Sequence, residues 1–233
     1  MSISNQMVPS CERHYRAFRS QWDEFVKKRK NTVINPEVKR RIYSALLEQQ
    51  DKYGPNYTPA NNTELHQLAR VHRNVYRQNF LSFYGVLLTV QAAVTIEMPQ
   101  IMVGKLISYE NYSREIMCLF EFFKLEPGQP LQVRHLQLSI ALNRFPNEIW
   151  EAAFCPLYRF LAEEVWGKLS PQTRDLLFSQ YVHDFCRVLK FWADRGFSSA
   201  IIEECKALLS SLISSEVQHN QNIERAINEL TNK

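Results

Sequence analysis

Glycine is scarce in this chain: 6 of 233 residues, about a third of the usual share. That argues against glycine-rich phosphate loops, hairpin-dense β folds and α/β enzymes built on tight glycine turns. Cysteine offers no framework either. The five cysteines, Cys11, Cys118, Cys155, Cys186 and Cys205, are odd in number and widely spread, and a chain of this length needs no disulfide staples. Met1–Glu12 lacks an apolar stretch that would serve as a signal peptide. These readings predict a reduced, intracellular protein of the cytoplasm or nucleus. The most apolar run, Phe80–Ile96, is interrupted by Gln91 and followed by Glu97 and Pro99. It is short for a membrane span and reads as a buried core helix, so no membrane partner is expected.

Catalytic signatures are absent as well. The chain has no G-x-S-x-G, no H-E-x-x-H, no G-x-x-x-x-G-K-S/T and no dinucleotide-binding glycine pattern. His183 and Asp184 are adjacent, so on a helix they diverge by about 100° and cannot form a base–orienter pair. No catalytic residue and no cofactor is expected.

What is present is helical periodicity. The hydrophobic share is 45% and the charged share 22%, ordinary for a globular protein. Apolar residues recur at helical spacing almost throughout, which predicts an all-α fold, an irregular multi-helix bundle of about eight or nine helices. Ser10 is placed to cap a first helix ending near Lys30, with Tyr15, Phe18, Trp22, Phe25 and Val26 inward. Asn35-Pro36 opens a second, with Val38, Ile42, Ala45 and Leu46 inward, which Gly54 stops. A third helical pattern runs from Thr63 to Met98, broken near Asn79 or Gly85 and ended by Pro99. A helix from about Glu110 to Lys124 follows. Leu131–Leu142 carries both an alternating and a helical pattern and is assigned to helix. Ser170-Pro171 opens a long helix closed by Gly196, and a last apolar helix runs from Ser198 or Ser199 through Ile213. The loop Glu126–Pro130 divides the chain into one domain, 1–233, or two packed lobes, 1–125 and 131–233.

Charge is distributed unevenly. Residues 1–80 hold 14 Lys/Arg against 7 Asp/Glu, a net of +7, whereas residues 81–233 net −3. Arg70, Arg73 and Arg77 fall at i, i+3 and i+7, one face of the third helix. Lys27, Lys28 and Lys30 close the first helix, and Arg40 and Arg41 lie early in the second. Tyr43, Tyr76 and Tyr84 are interleaved. Cations for phosphates and rings for bases are what a nucleic-acid groove needs, while an acidic protein partner needs the cations alone. Cys11/His14 and His183/Cys186 are each i, i+3 pairs, weak candidates for half of a tetrahedral zinc site.

The aromatic load is heavy: 14 Phe, 10 Tyr and 4 Trp. Phe80/Leu81/Phe83/Tyr84, Phe120/Phe122/Phe123 and Phe191/Trp192 each cover more than one helical face, as a second helix layer or a partner groove would require. The leading expectation is a non-enzymatic helical scaffold or adaptor subunit that docks partner protein segments in grooves between helices. The alternative is a single-stranded RNA-binding, nucleoprotein-like helical protein using the basic N-terminal third, a comparison of architecture alone. In that reading the polar C-terminal helix mediates homo-oligomer formation.

Overall fold

The computed structural model describes residues 9–29, 33–103, 118–164, 166–167, 169–209 and 211. The protein is 77% helical. No strand occurs among the described residues, only an isolated parallel bridge between Leu125 and Ser198. The expected all-α bundle is therefore present, and Leu131–Leu142 falls in a helix from Val133 onward.

Helix α1 spans Ser10–Lys28 and α2 spans Pro36–Tyr53. Ser10 is not the cap of α1: Pro9 takes that position without a side-chain bond, its carbonyl accepting from Glu12 and Arg13. In α2 the sequence signals operate as read. The Asn35 side chain accepts from the Glu37 amide at 2.8 Å, and Gly54 ends the helix at φ 97°, a conformation that costs glycine little.

The third helical pattern is broken twice, once between Asn79 and Gly85 as expected and once earlier, after Leu68. It yields α3 (Asn62–Leu68), α4 (Arg73–Phe80) and α5 (Phe83–Ala92). The first break comes where Arg70 turns left-handed, at φ 50°. The Val71 amide then bonds the His66 carbonyl at 2.8 Å, and the extended His72 caps α4 by accepting from the Asn74 amide at 3.3 Å. At the second break Leu81 adopts φ 64°, and the Ser82 hydroxyl accepts from the Gly85 amide at 3.3 Å to cap α5.

Pro99 does not end the run. Helix α5 widens into a π turn, Ala93–Glu97, and continues as α6, Met98–Val103. A proline ring inside a regular helix collides with the carbonyl four residues back; here the proline follows a one-residue widening of the helix, which shifts that register. The expected start of the Glu110–Lys124 helix, the polar C-terminal helix and Lys30 lie outside the described residues. The rest comprises α7 (residues 118–123), α8 (Val133–Arg144), α9 (Asn147–Ala153), α10 (Cys155–Glu164), α11 (Pro171–Ala193), a 3₁₀ turn at Ser199–Ile201 and α12 (residues 202–209).

Helix α5 has apolar residues on most of its circumference and is wrapped except along the side of Tyr84. Val86 and Val90, with Val94 of the π turn, face the main core shared with α2 and α8. Leu88 and Ala92 face a smaller cluster with Phe18 and Phe25 of α1. Some polar groups within the core are paired, whereas others, such as the Tyr76 hydroxyl and the Trp166 indole nitrogen, have no hydrogen-bond partner among the described residues. The Tyr43 hydroxyl meets the Thr89 hydroxyl at 2.8 Å, and the Thr89 hydroxyl in turn donates to the Val86 carbonyl at 2.7 Å. The main core includes residues on both sides of the 126–130 loop, and the Leu125 amide donates to the Phe197 carbonyl at 2.8 Å. Among the described residues no single helix is long and apolar enough to cross a membrane.

Gly85 lies in the first turn of α5, just past the 49° bend from α4. A Cβ there would overlap the Phe80 carbonyl oxygen and stand 2.7 Å from the Phe25 ring. Backbone cannot move aside as a flexible side chain does. Gly85→Ala should therefore destabilise the protein by more than about 2 kcal/mol, despite the better helix propensity of alanine; chemical denaturation measures this, and an unchanged midpoint would refute it.

His135 is fully buried. Its Nδ1 accepts from the Gln132 amide at 2.9 Å, so Nε2 carries the proton and donates to the Phe123 carbonyl at 2.9 Å. Burial pushes its pKa below the ordinary 6.5. A histidine held neutral in the folded state contributes stability that is complete above its unfolded pKa and lost as pH falls below it. The melting temperature should drop between about pH 7 and about pH 5.5, and His135→Asn should show a smaller drop over the same range, although it is less stable at the start.

Candidate functional site

Of the eight cations singled out in the N-terminal third, Lys30 lies outside the described residues, and the other seven separate into three groups. Some are neutralised on their own helix. Lys28 pairs with Glu24 at 2.6 Å, and Arg40 holds Glu37 through two bonds of 2.8 Å. Both carboxyls are drawn below their usual range by these bonds. Arg41 is spent differently: its guanidinium donates to the Arg70 carbonyl, fastening the start of α2 to the α3–α4 turn. Lys27, Arg70, Arg73 and Arg77 are exposed and form no ion pair among the described residues. Residues 65–96 contain no Asp or Glu at all, so the three arginines have no carboxylate at helical spacing.

The three do not share the face of one helix. Arg70 belongs to the left-handed turn, Arg73 begins α4, and only Arg73 and Arg77 are helical neighbours at i, i+4. The sequence pattern missed this because it carries no glycine or proline to announce the break; a capping histidine and a left-handed arginine supply it. The interleaved tyrosines are also placed elsewhere. Tyr43 and Tyr76 are buried at 0% and 1% exposure, and Tyr76 packs on Phe80 with ring centroids 5.7 Å apart. Burial raises both of their pKa values. Only Tyr84 is exposed, its hydroxyl donating to Gln21 at 3.0 Å.

The zinc candidates do not assemble. No group of three or more metal-ligating side chains forms among the described residues. Cys11 is buried against Cys155, whereas His14 and His183 are exposed. His183 and Asp184 approach more closely than adjacency on a helix suggested, Nδ1 to Oδ1 at 3.5 Å. They do so on an exposed helix surface where Arg187 reaches the same carboxylate at 3.7 Å.

The aromatic clusters are mainly core. Phe80, Phe120, Phe123 and Trp192 are buried, and Phe191 lies under the Arg195 guanidinium at 3.7 Å. Phe122 is an exception, 37% exposed beneath the Arg134 guanidinium at 4.5 Å. It borders a cleft of about 150 Å³ between the π turn, α6, α7 and α8. Val94, Met98, Ile101, Phe123 and Leu138 form its apolar lining, and Glu97, Arg134 and Gln137 its polar one. Periodicity does not reveal this cleft; the proline two residues beyond Glu97 was the available signal for an altered helical register there. No protein-family model, curated protein or solved structure matches the chain.

The Arg41 contact yields a prediction. Removing it with Arg41→Ala should cost about 1 kcal/mol and accelerate amide exchange at Ala69–Val71 while leaving α5 protected; unchanged exchange in that turn would show that the contact does not hold it.

Proposed function

We propose that the protein is a non-enzymatic helical interaction subunit acting inside the cell, and that its basic N-terminal third receives an acidic segment of a protein partner. The observation that carries this reading is the set of exposed, unpaired cations around the α3–α4 turn, Arg70, Arg73 and Arg77, in a stretch devoid of carboxylates. Elsewhere on the surface cations are commonly matched by a carboxylate three or four residues away. An arginine left unmatched is free to form charge-assisted, bidentate bonds with a partner's carboxylates.

Single-stranded RNA is the second reading, favoured by the +7 net charge of residues 1–80 and by the same arginines, which suit phosphate equally well. The acidic protein segment ranks first because of the tyrosines. RNA binding by stacking needs open aromatic faces, and Tyr43 and Tyr76 are spent on the core. The apolar cleft beside Phe122 is a second groove of the kind that a scaffold subunit offers.

The test is fluorescence anisotropy of the purified protein with a glutamate-rich peptide and with a single-stranded oligonucleotide, across a salt series. The expected result is peptide binding that weakens at least about tenfold in Arg70→Glu/Arg73→Glu, with weak oligonucleotide binding. Tight oligonucleotide binding with a log–log salt slope of about −0.7 per phosphate, lost in the double variant, would put RNA in first place. Binding of either probe that the double variant leaves unchanged would remove the arginines from both readings.

A further inference from the structure

Cys11 and Cys155 lie 144 positions apart in the chain, yet their sulfurs are 3.4 Å apart in the interior. Cys11 is the second residue of α1 and Cys155 the first of α10; they are 2% and 6% exposed. A disulfide needs the sulfurs at about 2.05 Å, so each must shift by well under 1 Å. Cysteines pack well as small apolar side chains, and packing alone does not require two of them to be apposed.

We propose that Cys11 and Cys155 form a site of oxidative modification, an intramolecular disulfide that staples α1 to α10, with a peroxide as the oxidant. In the first step the Cys11 sulfur attacks one peroxide oxygen. The O–O bond breaks, a sulfenic acid forms, and the other oxygen leaves as water after taking up the thiol proton. In the second step the Cys155 sulfur attacks the sulfenic sulfur. The S–O bond breaks, the S–S bond forms, and the hydroxide leaves as water with the Cys155 proton. Two thiols and one hydrogen peroxide thus become one disulfide and two waters, the sulfurs giving up two electrons.

The surroundings set the rate. The hydrogen bond to the apposed Cys155 thiol, burial and the nearby Asp175 charge hold the Cys11 thiol well above its ordinary pKa. The reactive thiolate is therefore rare, and the link forms slowly, under sustained oxidation and not as a rapid sensor. Once formed, it closes a loop of more than 140 residues, the kind of cross-link that most restricts the unfolded chain. It also fixes the start of α1, where the Ser10 amide donates to Asp175 at 3.4 Å.

The test treats the full-length protein with hydrogen peroxide, blocks the remaining thiols with an alkylating reagent and maps peptides without reduction. The expected product is a monomer in which a Cys11 peptide is joined to a Cys155 peptide, with the melting temperature raised by about 10 °C and restored by dithiothreitol. Cys155→Ser and Cys11→Ser should each lose both the cross-linked peptide and the thermal shift. Should either variant fail to fold, the wild-type peptide map decides. Oxidation of other cysteines while Cys11 and Cys155 remain alkylatable would overturn the proposal, as would their linkage to other thiols.

Discussion

The fold depends on accommodating a helix that has no polar face. Helix α5 presents apolar side chains round most of its circumference, with Tyr84 exposed and Leu87 and Gln91 half-buried on the remaining side, and such a helix is stable in water only if neighbours cover the apolar sides. The solution divides it between two clusters: α1 covers Leu88 and Ala92 through Phe18 and Phe25, while α2 and α8 cover Val86, Val90 and Val94. The close seat of α1 requires that Gly85 remain a bare backbone beside Phe25. Buried hydroxyls satisfy one another on the far side, through Tyr43 and Thr89. The burial of one element thus dictates the positions of three others.

That demand also explains the irregularities around α5. Its approach must turn sharply, so Leu81 adopts a left-handed conformation and Ser82 supplies the cap. Its exit must pass Pro99 without losing the axis, and the π turn at Ala93–Glu97 absorbs the change of register. Widening the helix there moves Val94 and Met98 apart from the positions that a regular helix would give them, and both border the cleft shared with α7 and α8. The cleft is thus a consequence of a helix that is too apolar to end and is forced to continue through a proline.

Helix identity was legible wherever the chain carries its own stop and start chemistry. Asn35-Pro36, Gly54, Ser170-Pro171 and Gly196 bound their helices in the structure as periodicity and capping predict. The sequence was misleading where long-range packing selects the backbone. Arg70, Leu81 and Phe197 adopt positive φ, a choice that no local propensity recommends for such side chains, and Ser10 yields its capping position to Pro9. The basic third was legible as a composition and illegible as a surface. Tyr43, Tyr76 and Arg41 look available on paper, and tertiary contacts engage all three.

Availability is then decided by a simple economy of charge. On a helix a cation finds a carboxylate most cheaply three or four positions away. Arg16 has Glu12, Lys28 has Glu24 and Arg40 has Glu37; Lys27 competes for Glu24 and Asp23, which Lys28 and Arg19 already engage. Arg70, Arg73 and Arg77 have only His, Gln, Asn, Ala, Tyr, Phe, Leu or one another at those spacings. Arg73 and Arg77 as i, i+4 neighbours of like charge repel slightly in the free protein. Pairing within the chain is closed to them by sequence, and the adjacent core positions of α4 are already taken by Tyr76, Asn79 and Phe80. The three arginines of the α3–α4 corner thus stay exposed and without an ion pair among the described residues, the feature on which the proposed acidic-partner site rests.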